Sequence, residues 1–278
     1  MKKLYFILTI ILLAVTNTLQ AQNDSIYFWK SGVLLEMRSI KTADLDSITF
    51  KRPTSINIAG PNVTDIDGNV YESVTNCGLT FTKQNLNVSK YSDGTPIPQV
   101  QDATAWANLT TGAWCYHENN TANGAVYGKL YNWYAVAGIY DAASAINPAL
   151  RKKLAPTGWH VPTDGEWLSL INCLNPNAAL NTSGGKMKAT GTIQAGTGLW
   201  QEPNTDATNE SGFTGLPAGL RYYLDGSFYG IGDSGYWWSS LEGNTTNAWN
   251  LYVNHTTANA DSNVPDKRSG FSVRCLRD

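Results

Sequence analysis

The chain has 278 residues and a formal net charge of −2 at pH 7, with 42% hydrophobic and only 15% charged residues. Charged residues usually make up about 25%, and here 26 Asn and 25 Gly take up part of the difference. This composition argues against a coiled coil or helical bundle, and its 10 Trp, 14 Tyr and 7 Phe argue against disorder. A weakly acidic chain without Lys/Arg runs also predicts no nucleic-acid partner.

Residues 1–21 have the pattern of a secretory signal peptide. Lys2 and Lys3 precede an apolar run from Leu4 to Val15, and Ala21 is the expected cleavage position. The run is shorter than the about 20 residues that a membrane-spanning helix needs. We therefore predict an exported protein, extracellular or at the cell surface, without a transmembrane segment.

Residues 22–52 are predicted to form a short β-rich segment. Alternating apolar residues near its start predict a hairpin, and Leu45–Phe50 predicts a further strand. Pro, Ser, Asn and Gly in residues 53–61 are typical of a linker. The main domain is expected to span residues 62–278.

Strands are the first elements predicted in the main domain. A turn at residues 67–69 separates Val63–Ile66 from Val70–Val74, and Leu79–Val88 predicts another strand. The spacing of aromatic and aliphatic residues across 127–137 predicts a buried helix.

The strongest local signal is a helix start at Thr163. Thr163 and Glu166 form a capping box, in which each side chain satisfies a free backbone N–H group of the other. One apolar stripe follows: Trp167, Leu170, Ile171 and Leu174. Cys173 lies in the last turn, and we expect its sulfur to face the core.

Frequent Gly, Asn, Asp and Ser after residue 184 predict long loops between short strands. The predicted strands are at 237–240, 248–253 and 270–276. The planar rings in this loop-rich part are candidates for an exposed binding surface: Tyr222, Tyr223, Phe228, Tyr229 and Tyr236. Packing of each ring in the core is the alternative.

Four cysteines are present: Cys77, Cys115, Cys173 and Cys275. An even number in an exported chain favours two disulfides, and the spacing does not select among the three possible pairings. A zinc site would need CxxC spacing or clustered His, and the sequence has neither.

Five motifs occur in order along the main domain, at residues 127–133 (YGKLYNW), 158–167 (GWHVPTDGEW), 212–219 (GFTGLPAG), 236–240 (YWWSS) and 270–275 (GFSVRC). Together they resemble the Fibrobacter succinogenes major paralogous domain family. One departure is Phe81, where the resemblance leads us to expect Trp; both are large aromatic side chains.

This family looks like a branch of the C-type-lectin-like fold. The resemblance implies an α+β domain with short twisted antiparallel strands, two main helices and long loops, after a small β-rich N-terminal segment. In that fold a helix cysteine commonly bonds to the last strand, which implies a Cys173–Cys275 disulfide and leaves Cys77 with Cys115.

The same resemblance extends distantly to the formylglycine-generating sulfatase modifiers. Those enzymes need two closely spaced cysteines before the last strand, and residues 241–274 contain none. We therefore expect no oxidase chemistry of that kind.

A candidate calcium and sugar loop comes from resemblance to C-type lectins. Those lectins use Glu-Pro-Asn and Trp-Asn-Asp motifs, and this chain has Glu202 and Asn204 around Pro203, with Asn250 after Trp249. Leu251 replaces the expected Asp. Because calcium needs about six to eight oxygen ligands, an ordinary surface loop is the alternative, and no other cofactor is predicted.

No assembled catalytic set is evident in the sequence. His160 lies beside core-like residues, which favours a structural role, whereas His117 and His255 lie in polar loops and are expected to be solvated. We predict a non-catalytic binding or adhesion module whose partner is a carbohydrate. The alternatives are an envelope component that docks to a protein, or an unrecognised hydrolase.

Overall fold

The computed structural model describes residues 57–175 and 181–278, together with the backbone of two earlier strands. The chain divides into two units, residues 1–54 and 55–278. In the first, β1 (Ser25–Lys30) pairs antiparallel with β2 (Val33–Ser39), which confirms the predicted hairpin. The predicted signal peptide and the predicted strand at 45–50 lie outside the described residues.

An antiparallel sheet in the second unit joins its first strands to its last. The strands are β3 (Ile58–Thr64), β4 (Val70–Asn76), β5 (Leu79–Thr82), β8 (Trp159–His160) and β14 (Leu276–Arg277). Their order is β3-β4-β5-β14-β8. The predicted turn at 67–69 connects β3 to β4. β5 is shorter than predicted, because Leu86 donates its N–H to Val273 rather than extending the ladder with β4.

β3 begins within the predicted linker, 53–61. Pro61 lies where the register of β3 against β4 shifts, between Gly60 and Val63. An edge strand with a shifted register accommodates a proline, which has no N–H to donate. The composition of residues 53–61 predicted a linker, but residues 58–61 form the start of an edge strand.

The helix predicted across 127–137 is wrong. α2 (Thr121–Tyr127) ends where Gly128 takes a φ of +75°, β7 (Leu130–Tyr131) follows, and α3 (Trp133–Val136) is a separate helix. A glycine accepts this left-handed conformation readily and ends the helix. The Asn132 side chain then accepts a hydrogen bond from Ala135 N and caps α3.

The remaining elements are short. They are α1 (Ala103–Ala107), β6 (Trp114–Cys115), α4 (Ala142–Ile146), α5 (Asp164–Leu174), α6 (Ser183–Met187), β9 (Ala218–Arg221), β10 (Phe228–Ile231), β11 (Ser234–Glu242), β12 (Ala248–Asn254) and β13 (Asp261–Asn263). The predicted strands at 237–240 and 248–253 are confirmed. Of the one predicted at 270–276, only the end becomes a strand, β14. The described part has six α-helices, and only α5 exceeds seven residues. The expectation of two main helices is therefore wrong. The mixture of helices and antiparallel strands confirms the α+β class.

The start of α5 follows its sequence signal. The hydroxyl of Thr163 accepts a hydrogen bond from Glu166 N at 3.3 Å, and Glu166 Oε2 accepts one from Thr163 N at 2.8 Å. All four residues of the predicted apolar stripe are buried. Trp167, the first of them, stacks on Phe81 of β5 with ring centroids 5.1 Å apart. Burial of each such side chain contributes about 1.5–3 kcal/mol.

Buried cations hold the loops to the core. In the described residues, five Lys and Arg side chains are at most 5% exposed: Lys129, Lys188, Arg221, Lys267 and Arg274. Arg274 donates to the backbone carbonyls of Thr82 and Phe213 at 2.7 and 2.8 Å. Arg221 likewise donates to three backbone carbonyls and lies over Trp106. Each guanidinium joins segments that are distant in sequence.

The disulfide is not the one that the resemblance implied. Cys77 is bonded to Cys173, whereas Cys115 and Cys275 are reduced and buried. Cys77 lies in the two-residue turn between β4 and β5, which reaches the exposed side of α5 where Cys173 lies. The expectation that the Cys173 sulfur faces the core is therefore wrong, and so are both implied pairings.

Candidate functional site

The Glu202–Asn204 loop is held by structural hydrogen bonds. Asn204 is only 6% exposed, and its Nδ2 donates to the carbonyls of Ala189 and Gly191 at 3.1 and 2.9 Å. Glu202 is exposed, and its carbonyl oxygen lies 2.7 Å from Nδ1 of His255. These contacts give the loop a fixed path.

A lysine already binds the carbonyl oxygens beside this loop. Lys188 is fully buried, and its ammonium donates to the carbonyls of Thr205, Asn254 and Thr257 at 2.8–2.9 Å. Its positive charge opposes a second cation close by.

The predicted calcium ligands offer fewer oxygens than calcium usually takes. Asn250 is buried in β12 and donates to the carbonyl of Leu251. The Oδ1 atoms of Asn204 and Asn250 have no partner among the described residues, but calcium needs about six to eight oxygens. The described part of the chain contains no cluster of three or more acidic, His or Cys residues that could hold a metal.

His117 and His160 are held in different ways. His117 is buried, contrary to the expectation of a solvated ring, because it packs against Phe228 with centroids 5.2 Å apart. Burial lowers the pKa of His117. His160 has both ring nitrogens beside carboxylates, Glu166 Oε1 at 3.0 Å and Asp278 Oδ1 at 2.7 Å. It therefore has no free nitrogen to act as a base.

Three of the five candidate aromatic residues form a surface cluster, which we call the tyrosine face: Tyr222, Tyr223 and Tyr229. The rings of Tyr222 and Tyr223 are 4.7 Å apart, and those of Tyr222 and Tyr229 are 5.9 Å apart. Tyr229 is 53% exposed. The hairpin of β9 and β10 positions all three.

The other two candidates pack inside. Phe228 contacts His117 and the Arg221 guanidinium, since neighbouring strand residues point to opposite faces. Tyr236 is stacked between Tyr252 and Phe271, each at 4.9 Å. For these two residues the alternative of core packing is correct.

An open cleft adjoins the tyrosine face. The guanidinium of Arg268 lies 5.3 Å from the ring centroid of Tyr223 and also lines a cavity of about 340 Å³. The other lining residues are Asn108, Leu109, Thr110, Tyr134, Thr246 and Asp266. They come from separate segments, and none of them was a candidate from the sequence. The only hint of this site in the sequence is the acidic residue Asp266 two positions before the basic residue Arg268, a spacing that allows an ion pair.

Arg268 is held rigidly in the cleft. Its Nε and Nη2 donate to the two carboxylate oxygens of Asp266 at 2.9 and 2.8 Å, and its Nη1 donates to the carbonyl of Ala107. Burial opposes ionisation of Asp266, but the hydrogen bonds and charge of Arg268 prevail and lower the pKa of this carboxyl. The pair is therefore ionised and fixed in orientation.

A family model, the Fibrobacter succinogenes major domain, matches residues 74–277. The chain belongs to this family. No curated protein and no solved structure matches the chain. In the described residues, no helix combines the length and the apolar character that crossing a bilayer requires.

The motifs of this Fibrobacter succinogenes major domain lie mostly in its core. Trp133 Nε1 donates to Ser239 O at 3.0 Å, and Trp238 Nε1 donates to Tyr131 O at 2.8 Å, so motifs distant in sequence bond to each other. The tyrosine face and the cleft arise from residues between the motifs. The motifs therefore account for the fold of the domain and not for its candidate site.

Proposed function

We propose that this chain is an exported, non-catalytic carbohydrate-binding module of C-type-lectin-like fold, which binds at the tyrosine face. The observation that carries the proposal is the Tyr222–Tyr223–Tyr229 cluster beside the fixed Asp266–Arg268 pair. Tyr229 is exposed in this cluster, and Tyr222 and Tyr223 are half-buried. Tyrosine rings combine a large apolar surface with a polar hydroxyl, which suits the apolar faces and hydroxyl groups of sugars.

A binding role without catalysis is supported by the surroundings of His160, the residue considered as a general base. Both nitrogens of His160 lie against carboxylates, so the ring connects Asp278 to Glu166 of α5. Cys275, at the end of the terminal motif, is buried, and burial raises the pKa of its thiol to about 12. A thiol in this state is not a nucleophile.

A protein partner in the envelope is the second candidate. Leu224, in the turn of the same hairpin, is 64% exposed and adds apolar surface next to the tyrosines. Residues 22–52 are the other candidate docking segment, and their side chains lie outside the described residues.

The test is a glycan and polysaccharide array probed with the purified exported protein, in calcium and again in EDTA. We expect binding that EDTA leaves unchanged, that Tyr229→Ala weakens at least about tenfold, and that Tyr140→Ala leaves intact. Tyr140 is the matched control because it is also surface-exposed, at 36%, and packs against Lys152 instead. Absence of binding to every glycan would overturn the proposal.

A further inference from the structure

We propose that the cleft beside the tyrosine face is a subsite selective for an uncharged sugar residue over an acidic one. This inference rests on the proposed function and names the ligand class. Its basis is the cleft's own set of charges and hydrogen-bonding groups, which the tyrosine rings do not supply.

The charges that face the cleft cancel. Arg268 and Asp266 form a two-point ion pair at 2.8–2.9 Å. Lys267, between these two residues in sequence, pairs with Glu242 and does not line the cleft. The remaining lining residues are uncharged. An acidic sugar would lose its hydration on entering without meeting a net positive charge, which is a cost that a neutral sugar does not bear.

The same pair offers donors and acceptors side by side. Within the described part of the chain, the contacts of Arg268 use three of its five N–H groups. Asp266 Oδ2 accepts a hydrogen bond from Arg268 Nη2 and, as a carboxylate oxygen, has a second lone pair. A sugar hydroxyl both donates and accepts, so two neighbouring hydroxyls match this arrangement, and hydrogen bonds to charged groups are stronger than neutral ones.

The cleft also has an apolar wall and a suitable size. Tyr134 is half-buried, and both Tyr134 and Leu109 line the cleft. Burial raises the pKa of Tyr134, so the phenol stays neutral. The volume of about 340 Å³ lies at the lower end of the roughly 300–1,000 Å³ found for small-ligand sites. The cleft has room for one sugar ring of a longer chain. The adjoining sugar rings of that chain then contact the tyrosine face, because Arg268 lies between the cleft and Tyr223.

The experiment is calorimetric titration of the whole exported protein with cellohexaose, maltohexaose and xylohexaose as neutral probes and hexagalacturonate as the acidic probe. We expect the wild type to bind at least one neutral probe at least about tenfold more tightly than hexagalacturonate. Asp266→Asn keeps the shape but leaves the Arg268 charge unpaired. It should weaken neutral binding about tenfold and strengthen hexagalacturonate binding.

Asn108→Ala is the second variant, because it changes an exposed lining residue and leaves the ion pair intact. This variant should bind the neutral probe severalfold more weakly.

The subsite is overturned if both variants bind all four probes as the wild type does. If Tyr229→Ala still abolishes binding in that case, the proposed function survives. The subsite is also overturned if the wild type prefers hexagalacturonate. A wild type that binds none of the probes overturns the subsite, and the broader array then decides the proposed function.

Discussion

Cys77, in the turn between β4 and β5, is bonded to Cys173 in the last turn of α5, with their Cα atoms 6.1 Å apart. The bond joins residues 96 positions apart and connects the sheet directly to the longest described helix. The two other cysteines are buried in different places. Cys115 packs beside Trp106 and Leu130, and Cys275 packs in the main cluster with Phe271 and Val273.

We expect thiol titration to distinguish the two pairs. Burial raises the pKa of both Cys115 and Cys275 to about 12, so neither should react with a thiol reagent in the native protein. After unfolding without reductant, two thiols per chain should react. No reactive thiol after unfolding would mean that a second disulfide exists.

Loss of the Cys77–Cys173 bond should lower the free energy of unfolding by about 2–4 kcal/mol, since the bond restricts a long loop in the unfolded chain. Denaturant unfolding of Cys77→Ser, Cys173→Ser and the double variant measures this. The three variants should be equally unstable, because each removes the same bond. A clearly additive loss in the double variant would contradict this account.

The contacts of His160 with Glu166 and Asp278 should make stability depend on pH. Burial disfavours the charged ring, but the hydrogen bonds to Asp278 and Glu166 prevail and raise the pKa of His160 above the ordinary 6.5. A raised folded pKa means that the stabilisation is complete below pH 6.5 and is lost as the pH rises through the folded value. Proton NMR should show the raised pKa directly.

Unfolding measured across this pH range should show the decline in the wild type. His160→Gln should remove it, and His255→Gln should retain it. A His160 pKa at or below 6.5 would show that the two carboxylates do not hold a charged ring.

Removal of the Lys188 ammonium should destabilise the domain strongly. Lys188→Met leaves the three carbonyls of Thr205, Asn254 and Thr257 without their donor, and an unsatisfied buried polar group costs about 1–3 kcal/mol. We expect a loss of at least about 3 kcal/mol in denaturant unfolding. Lys83→Met is the control, because that side chain lies near the surface and its ion pair among the described residues is with Glu72.

Calcium should not stabilise this domain. A ligand that binds only the folded state raises its stability, and the Lys188 ammonium already binds three backbone carbonyls beside the Glu202–Asn204 loop. The melting temperature should therefore be the same in calcium and in EDTA. A calcium-dependent rise that Asn204→Ala removes would restore the lectin-type interpretation of this loop.

Several features could be predicted from the sequence because their causes are local. The capping box of α5 depends on Thr163 and Glu166, three positions apart, and the apolar stripe follows from helical periodicity. The β1–β2 hairpin and the turn at 67–69 depend on neighbouring residues in the same way. The family motifs were also evident in the residues and agree with the match over 74–277.

Other features depended on where the folded chain brings distant residues. The helical spacing of apolar residues across 127–137 predicted one helix, because this pattern carries no information about the left-handed conformation of Gly128 that ends α2. The cysteine pairing depended on which side of α5 meets the β4–β5 turn, and the cleft unites residues near 108, 134, 246 and 266. The sequence by itself determined the α+β class, the family and the local start of α5, since these follow from residues a few positions apart. The tertiary structure alone decided the disulfide, the buried side of each aromatic ring and the charge balance of the cleft, because these depend on contacts between segments far apart in the chain.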